Sequence, residues 1–402
     1  MALMISLVAM MILTFIAMEV SRDTSVDYLV ASQQVNRIKA YYAAKAGVEI
    51  SLLRIMLYKQ AVAAFGDALG GNTGMLDPIW AFPFMWPPTM LDAMTEVDKS
   101  TIKDAVDESF MSGQYLATIQ PEGGRIDIND LGSDVKALKK SMIQQIVKIF
   151  QAEVEHNEDF ADKYKGFNFE EVANNIADYI DEDSQSLNGG DESAPYRDVR
   201  EEGLTMPPNR PLRTVDELHQ VGGMTDEFYN VLAPRLTVHG SKGINVNYAD
   251  KGTLMTLDVT MTDEAVDKAI ARRSNPKIGG PFKGDQDFFG FLQPFGVDVK
   301  AIQDSKVPLL YDQEFNFRIV STGISSNVQR TITVVTYDFP NLADRLAEML
   351  NKQDEQDKGQ AGGSNQQNPN SSNPNDPAAK QTQKNKIKSA KGRPTVVSWE
   401  EN

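Results

Sequence analysis

Residues 1–58 read MALMISLVAMMILTFIAMEVSRDTSVDYLVASQQVNRIKAYYAAKAGVEISLLRIMLY. Residues 1–18 carry no charge, and at about 1.5 Å per residue a helix of that length covers most of a ~30 Å hydrocarbon core. From Ser21 to Tyr58 apolar residues recur at helical spacing, proline is absent and Gly47 is the only glycine. The stretch predicts one helix of about 58 residues, roughly 87 Å long. A membrane helix followed by a separate soluble helix is the alternative.

The residues around the apolar run predict a single membrane anchor. No basic region precedes the run and no small-residue cleavage pattern follows it, so it does not have the features of a removable signal peptide. Charged residues follow at once, at Glu19, Arg22, Asp23 and Asp27. We therefore expect the helix to leave the membrane there. No second uncharged run of membrane length follows Met18.

The composition limits the classes of function. The chain has 402 residues, a net charge of −16 and a pI near 4.7, which is enough length for two or three domains. The acidic balance argues against nucleic acid as the main partner, because phosphate binding needs a basic stripe, and it is compatible with a divalent cation. The absence of cysteine fits an oxidising compartment or the cytosol equally well.

Strand patterns flank a helical block. Residues 115–120 and 125–129, joined by Pro-Glu-Gly-Gly, predict a hairpin, and residues 315–321 and 328–337 predict a second one. Helices are predicted between them at 134–155, 169–181, 215–232, 263–273 and 285–292. Capping boxes are predicted for Asn168 with Glu171 and for Thr214 with Glu217. A sheet interrupted by a helical insertion explains this order most simply.

Two further segments have unusual compositions. Trp80, Phe82, Phe84 and Trp86 lie in an irregular stretch rich in glycine and proline; we expect a packed loop there, and an exposed partner patch is the alternative. Residues 354 to about 394 are of low complexity with almost no large apolar side chains, so they are predicted to be disordered. The distal part of this tail is basic, and a solvated tail is favoured over an electrostatic tether.

No catalytic constellation is present in the sequence. The histidines are His156, His219 and His239, there is no cysteine, and the nucleophile-elbow, P-loop and HExxH patterns are absent. We therefore do not expect an enzyme.

The strongest chemical signal is the acidic stretch ADYIDEDSQSLNGGDESAPY, residues 177–196. Carboxylates gathered on a tight loop repel one another unless a hard cation with several oxygen ligands holds them. Spacing alone favours a solvated acidic loop, and a calcium site is the alternative; the loop does not match the EF-hand pattern. The pool of candidate ligands is Glu171, Asp178, Asp181, Asp183, Asp191 and Glu192.

A second signal lies at residues 212–238, LRTVDELHQVGGMTDEFYNVLAPRLTV. Two short helices around Val221-Gly222-Gly223-Met224 have the shape of a helix-hairpin-helix, whose glycines allow backbone N–H groups to approach a DNA phosphate. The pair carries Asp216, Glu217, Asp226 and Glu227 with little basic compensation. A protein-packing module of the same shape is therefore favoured over DNA binding.

Taken in order, these segments resemble the type II secretion minor pseudopilin K (GspK) family. The matching segments, which run from Met1 to about Tyr337, are MALMISLVAMMILTFIAMEVSRD, AYYAAKAGVE, RIDINDL, NIADYIDED, PPNRPLRTVDELHQVGGMTDEFYNVLAPRLTV, GINVNYA and RRSNPKIGGPFKGDQDFF. Tyr179 stands in the family's usual tryptophan position and Tyr248 replaces a threonine. The family's basic leader, cut by prepilin peptidase, is not in the sequence, so either residue 1 lies at or near the mature N-terminus or the start lies further upstream.

The resemblance implies an α+β pseudopilin fold, in which a long N-terminal helix and a small antiparallel sheet carry a large inserted α-helical domain with SAM- or helix-hairpin-helix-like elements. It divides the chain into the N-terminal helix (1–60), the first part of the pseudopilin domain (61–132), the helical insertion with the acidic loop (133–305), the C-terminal hairpin (306–345) and a disordered tail (346–402).

The resemblance also implies a place at the tip of a periplasmic pseudopilus, anchored in the inner membrane, with a methylated N-terminus. The implied partners are the minor pseudopilins I and J and the pseudopilus below them, with the tip facing the outer-membrane secretin or secreted substrates, and no nucleic acid. Most pilin-like subunits carry glutamate at position 5, and Ile5 fits a subunit with none above it, since a buried unpaired carboxylate is costly in lipid.

Calcium is the cofactor that the resemblance implies, in the acidic loop. The predicted ligands are Asp181, Asp183, Asp191 and Glu192. Ser193 replaces a carboxylate of the family pattern, for which Asp191 is the expected substitute. Two other interpretations of the whole chain remain open, namely a membrane-anchored helix-hairpin-helix DNA-binding protein and a type IV minor pilin.

Overall fold

The computed structural model describes residues 2–66, 68–69, 73–88, 96–133, 135–196, 206–340, 342–343, 345–347, 349–350 and 392–402. The helices in this part of the chain are α1 (Ala2–Phe65), α2 (Pro78–Ala81), α3 (Glu96–Glu108), α4 (Lys136–His156), α5 (Glu158–Tyr164), α6 (Phe169–Ile180), α7 (Asp226–Leu232), α8 (Lys251–Met255), α9 (Asp263–Arg273), α10 (Asp285–Leu292) and α11 (Val299–Asp304). The strands are β1 (Phe84–Trp86), β2 (Gln114–Pro121), β3 (Ile126–Asp127), β4 (Leu236–Thr237), β5 (Ile244–Asn245), β6 (Leu309–Leu310), β7 (Phe317–Ser325), β8 (Val328–Tyr337) and β9 (Thr395–Glu401).

The N-terminal segment forms one continuous helix, as the sequence predicts. Helix α1 is 64 residues long, so the alternative of two separate helices is wrong. Its buried side chains begin at Ala40 and end at Lys59, while the apolar side chains from Leu3 to Ile38 are exposed. Among the described residues, α1 is the one helix whose length and composition suit a membrane span.

The main sheet has five antiparallel strands in the order β1-β2-β7-β8-β9. Strands β7 and β8 form the predicted C-terminal hairpin, in which Ser325 pairs with Val328 across a two-residue turn. Ser326, the first of the two turn residues, has a φ of 55°, the sign that a type II′ hairpin turn has at that position. This prediction is confirmed, with β7 extending further toward the turn than the sequence indicated.

The predicted first hairpin is wrong. Residues 125–129 do not pair with β2; instead β3 pairs in parallel with β4, Ile126 opposite Leu236. Strand β2 pairs with β7 over its whole length, from Gln114 opposite Ile324 to Pro121 opposite Phe317. The chain between them leaves the sheet and returns to it, so the helical block is inserted between two neighbouring strands. The predicted interrupted sheet and the α+β class are therefore confirmed.

The inserted segment has its own hydrophobic core. Side chains of α4, α6, α7, α9 and α10 meet there, including the stacked rings of Phe150 and Phe169 at 4.8 Å between centroids. A second core lies between α1 and the sheet, with Tyr58 and Phe317 at its centre. Asp77 links the two regions, because its carboxylate accepts hydrogen bonds from Tyr58 at 3.1 Å and from Tyr248 at 3.2 Å.

Smaller predictions have mixed outcomes. Helices α9 and α10 have the predicted bounds. Asn168 makes no side-chain cap bond, so its capping box is wrong, whereas the Glu217 carboxylate accepts the Thr214 N–H at 3.3 Å as predicted. Trp80 is packed as expected at 5% exposure, but Phe82 is 51% exposed.

The C-terminal tail differs from its prediction at its far end. Residues 351–391, which contain most of the low-complexity stretch, lie outside the described residues. Residues 395–401, which were included in the disordered tail, instead form β9, the fifth strand of the main sheet.

Candidate metal centre

Helix α6 positions the first carboxylates of the acidic loop. One face of the helix packs into the inserted core through residues such as Val172, Ile176 and Ile180, all at most 2% exposed. Asp181 follows as the C-cap, and its backbone N–H donates to the Ala177 carbonyl at 2.9 Å. The end of a well-packed helix therefore fixes where the Asp181 side chain begins.

Asp178 orders the loop that follows. Its carboxylate accepts the Ser186 hydroxyl at 2.7 Å and the Leu187 backbone N–H at 3.0 Å. Gly189 and Gly190 then turn the chain at φ values of 89° and 96°, which favour glycine because it has no Cβ to clash. Gln185 and Asp191 form an isolated antiparallel bridge, and the returning chain brings Glu192 back to the end of α6.

Three carboxylates come together at this point. Ligand oxygens of Asp181, Asp183 and Glu192 all lie within 4.8 Å of one another. Asp181 Oδ2 accepts from the Lys139 ammonium at 2.7 Å, whereas Asp181 Oδ1 and Glu192 Oε1 are buried without a hydrogen-bond partner in the described part of the chain. Buried unpartnered carboxylate oxygens are costly unless a cation or a proton satisfies them.

Asn209 closes the site from the other side. Its amide nitrogen donates to the Asp183 backbone carbonyl and, at 3.2 Å, to Glu192 Oε2. Its Oδ1 is also buried and without a partner among the described residues. An amide oxygen is a good ligand for a hard cation, and oxygen and nitrogen of this side chain exchange places by a simple flip. The residue set therefore suits calcium, with carboxylate and amide oxygens on one centre.

The electrostatics of the group reflect the crowding of negative charge. Burial, together with the nearby Asp181 carboxylate, raises the pKa of the Glu192 carboxyl to about 7. Burial likewise raises the pKa of Asp178, although the Leu187 N–H and Ser186 hydroxyl oppose this shift. Glu192 therefore holds a proton more readily than an ordinary glutamate does.

The structure separates the predicted ligands into two sets. Asp181, Asp183 and Glu192 meet in one group. Asp191 lies outside that group, and its carboxylate accepts the Ser193 backbone N–H and hydroxyl, both at 2.9 Å. The sequence prediction missed Asn209, although the residue stands in the PPNRP segment that had been matched to the family.

The glycine turn of the predicted helix-hairpin-helix packs on the same region of the protein. The first predicted helix is the 3-10 helix Val215–Gln220, and α7 is the second. The Gly222 N–H donates to the Tyr196 hydroxyl at 3.0 Å, and the Gly222 carbonyl accepts from Asn175 at 2.9 Å. A Cβ at Gly222 would lie 2.4 Å from Pro195. Its backbone groups are therefore used for packing, as the packing interpretation predicts.

The fold and the site define a class. A long N-terminal helix that packs along an antiparallel sheet, with a helical insertion between neighbouring strands, is the architecture that the resemblance to pilin-like subunits implied. The family model described as Type II secretion system (T2SS), protein K matches residues 124–241. That segment contains the three carboxylates, Asn209 and the glycine turn. The resemblance to minor pseudopilin K is therefore confirmed over this part of the chain.

Solved structures include a similar chain. It is described as part of the GspK-GspI-GspJ complex from the enterotoxigenic Escherichia coli type 2 secretion system, with 18% sequence identity and a TM-score of 0.48. The alignment covers 78% of this chain and 95% of that chain. No curated protein matches this chain significantly.

Proposed function

We propose that this chain is a minor pseudopilin of the type II secretion system, a non-catalytic subunit of the tip of the periplasmic pseudopilus. The match of residues 124–241 to the protein K family carries the proposal. The single long helix supports it, because residues 2–18 are long and apolar enough to anchor the subunit in the inner membrane before assembly. Ile5, at 69% exposure, presents no charge to a subunit above it.

The exposed face of α1 beyond the membrane-spanning part fits helix–helix packing with neighbouring subunits. Apolar side chains recur on the face opposite the sheet at Val35, Ile38, Tyr42, Leu53 and Leu57, each at least 46% exposed. Such a stripe needs a partner, since a helix with an unpartnered apolar face is costly in water. The proposed partners are the minor pseudopilins I and J beside the chain and the pseudopilus below.

Deletion and complementation test this proposal. A strain that lacks the chain is expected to retain its type II substrates in the periplasm, and the intact chain is expected to restore their appearance in the medium. Unchanged secretion in the deletion strain would overturn the proposal. Loss of surface pili with secretion intact would favour a type IV minor pilin instead, and salt-dependent DNA binding would favour the DNA-binding alternative.

We also propose that Asp181, Asp183, Glu192 and Asn209 hold a calcium ion. The buried oxygens that lack partners among the described residues support this proposal. A bound calcium ion supplies the positive charge that the carboxylates need, and it stabilises the native loop because the unfolded chain has no such site. At a calcium concentration 100 times Kd the stabilisation is about 2.7 kcal/mol.

Thermal melting of the full chain in detergent, with calcium and with a chelator, tests the site. The Tm is expected to fall by several degrees with the chelator. Asp183→Asn is expected to remove this difference, whereas Glu182→Gln, an exposed neighbour outside the carboxylate group, should retain it. A Tm that does not change with the chelator would show that calcium does not bind.

A further inference from the structure

The outer edge of β8 is a surface that needs a cover. Strand β8 reads VQRTITVVTY, with six consecutive β-branched residues from Thr331 to Thr336 and no proline or lysine. A long, flat strand of this composition with free N–H and C=O groups is a template for pairing with another extended chain. On this chain β9 occupies that edge.

Strand β9 is held on β8 by the backbone ladder and by partly buried side chains. Five of its seven residues are exposed, and Val397 and Ser398 are half-buried. The ladder is irregular between Val335 and Thr336, where Val397 has no partner in the register. Val396 and Trp399 are each 36% exposed, so the strand buries part of its apolar surface, but none of its side chains is fully buried.

The side-chain contacts that join β9 and its approach to α1 are exposed. Tyr41 donates to Glu401 at 3.1 Å, and Arg393 pairs with Glu49 at 2.8 Å. Exposed pairs of this kind contribute little to stability. Buried anchoring in this region is limited to Pro394, directly before the strand.

The chain length between the two strands permits both release and return. Residues 338–394 connect the end of β8 to the start of β9, so a released strand stays attached to its own molecule and its return is an intramolecular step. With β9 in place, the outermost strand of the sheet carries the charges of Glu400 and Glu401. Charged residues at an edge oppose further strand addition.

We infer that the β8 edge is a strand-addition site and that residues 393–402 are its detachable occupant. While β9 is paired, the edge is closed to other chains. When β9 is released, the edge accepts an extended segment of the same kind, in the same antiparallel register. This inference is independent of the proposed function, because it rests on the strand pairing alone.

The register supplies a matched pair of variants. Thr331 and Asn402 exchange both backbone hydrogen bonds, at 2.9 Å each. Because such pairs alternate along an antiparallel ladder, the Glu400 N–H points toward β8 opposite Thr333, whereas the Glu401 N–H points away. Proline at 400 therefore removes a ladder donor, while proline at 401 removes an outward N–H, which edge strands tolerate.

Binding of a fluorescent synthetic peptide of residues 392–402 tests the inference by anisotropy in detergent. The acceptor is a chain that ends at residue 391 and so lacks β9, and the intact chain is the reference. The peptide is expected to bind the truncated chain and to bind the intact chain more weakly. The Glu400→Pro peptide is expected to bind about tenfold more weakly or worse. The Glu401→Pro peptide keeps every ladder donor and loses the exposed contact of its side chain with Tyr41, so its binding is expected to fall by no more than about fivefold.

A second acceptor keeps the test decisive if truncation prevents folding. In the full-length Glu400→Pro chain, the variant's own β9 pairs more weakly with β8. This chain is therefore expected to bind the wild-type peptide more tightly than the full-length wild-type chain does. Failure of a folded acceptor to bind the peptide would overturn the inference. Equal binding by the two proline peptides would overturn it as well, because the register would then play no part.

Discussion

Glu314 is a single carboxyl group at the junction between the sheet and the inserted domain. It is 2% exposed, and its Oε1 accepts the backbone N–H groups of Phe315 at 3.0 Å and of Asn316 at 2.8 Å. Its Oε2 has no hydrogen-bond partner in the described part of the chain. Burial raises the pKa of this carboxyl to about 7, and the Asp312 carboxylate acts in the same direction against Arg345 and these two N–H groups.

This shift predicts how stability changes with pH. Between about pH 4.5 and pH 7 the folded chain holds a proton on Glu314 that the unfolded chain has released, so the free energy of unfolding falls as pH rises through this range. Glu314→Gln is expected to reduce that fall by up to about 3 kcal/mol. Urea unfolding at several pH values measures the free energy of unfolding of the wild type, of Glu314→Gln and of the exposed control Glu155→Gln. If the dependence on pH were the same in all three, Glu314 would not be the group that titrates.

Asn209 provides a second prediction at the residue scale. Its amide contacts both Asp183 and Glu192, so Asn209→Ala is expected to weaken calcium binding by about tenfold or more. Asn188→Ala is the control, since Asn188 lies on the same loop and donates to Asn175 at 2.8 Å, outside the carboxylate group. Isothermal titration calorimetry of the full chain measures both. Equal effects of the two variants would exclude a specific role for Asn209.

The sequence identified the acidic loop but not all of the candidate ligands. Asp178 and Asp191 fit the spacing as well as Asp181 and Glu192 do, because spacing does not reveal which carboxylates are used by neighbouring N–H and hydroxyl groups. Asn209 comes from a distant part of the chain. Its approach depends on how two loops pack, which local patterns do not predict.

Close contact between α1 and β7 fixes the packing of the long helix on the sheet. A Cβ at Gly323 would lie 2.0 Å from the Ala40 carbonyl oxygen and 2.4 Å from the Ala44 nitrogen. These are backbone atoms, which cannot move aside as a flexible side chain would. The absence of a side chain at Gly323 therefore lets β7 cross the helix at short range.

Two glycine variants, expected to change the free energy of unfolding in opposite directions, test this contact. Gly323→Ala is expected to destabilise the chain by about 2–4 kcal/mol, because it forces the helix and the strand apart. Gly290→Ala, in α10 with open space around its Cβ, is expected to stabilise it by about 0.5–1 kcal/mol. Denaturant unfolding monitors both. A neutral Gly323→Ala variant would show that the close approach is not required.

At the element scale the sequence predicted helices better than strand partners. Helices α9 and α10 both have acidic residues in their first turn, which favours a helix start there, and their bounds were predicted correctly. The hairpin predicted for residues 115–129 was wrong. The Pro-Glu-Gly-Gly segment resembles a hairpin loop, but the chain leaves the sheet there. Strand β9 follows a low-complexity segment, and its partner is β8, far away in sequence.

At the scale of the whole molecule, α1 connects an apolar N-terminal stretch, which suits a membrane span by length and composition, to the sheet and the inserted domain. Lys59 and Asp338 pair at 3.0 Å with both side chains almost fully buried, which ties the far end of α1 to the end of β8. The order of long helix, interrupted sheet and helical insertion was predictable, since periodicity and composition change clearly along the chain. The pairing of the C-terminal strand β9 with β8 could not be predicted, because the two strands are far apart in the sequence.

The exposed stripe on α1 leads to a prediction about assembly. Leu53→Glu combined with Leu57→Glu is expected to prevent packing with neighbouring subunits while leaving the fold intact, because both side chains are about half exposed in the isolated chain. Ile278→Glu changes an apolar residue of similar exposure on the inserted domain and serves as the control. Secretion complementation measures the effect. Full activity of the Leu53/Leu57 variant would show that this face of α1 is not an assembly surface.

Co-purification tests the central claim most directly. The tagged full chain is co-expressed with the I and J minor pseudopilins, extracted in detergent and isolated through its tag. The proposed function predicts a stable complex that contains all three proteins, which is lost in the Leu53→Glu/Leu57→Glu variant and kept in the Ile278→Glu variant. Recovery of the wild-type chain without I and J, with all three proteins present in the membrane, would contradict it.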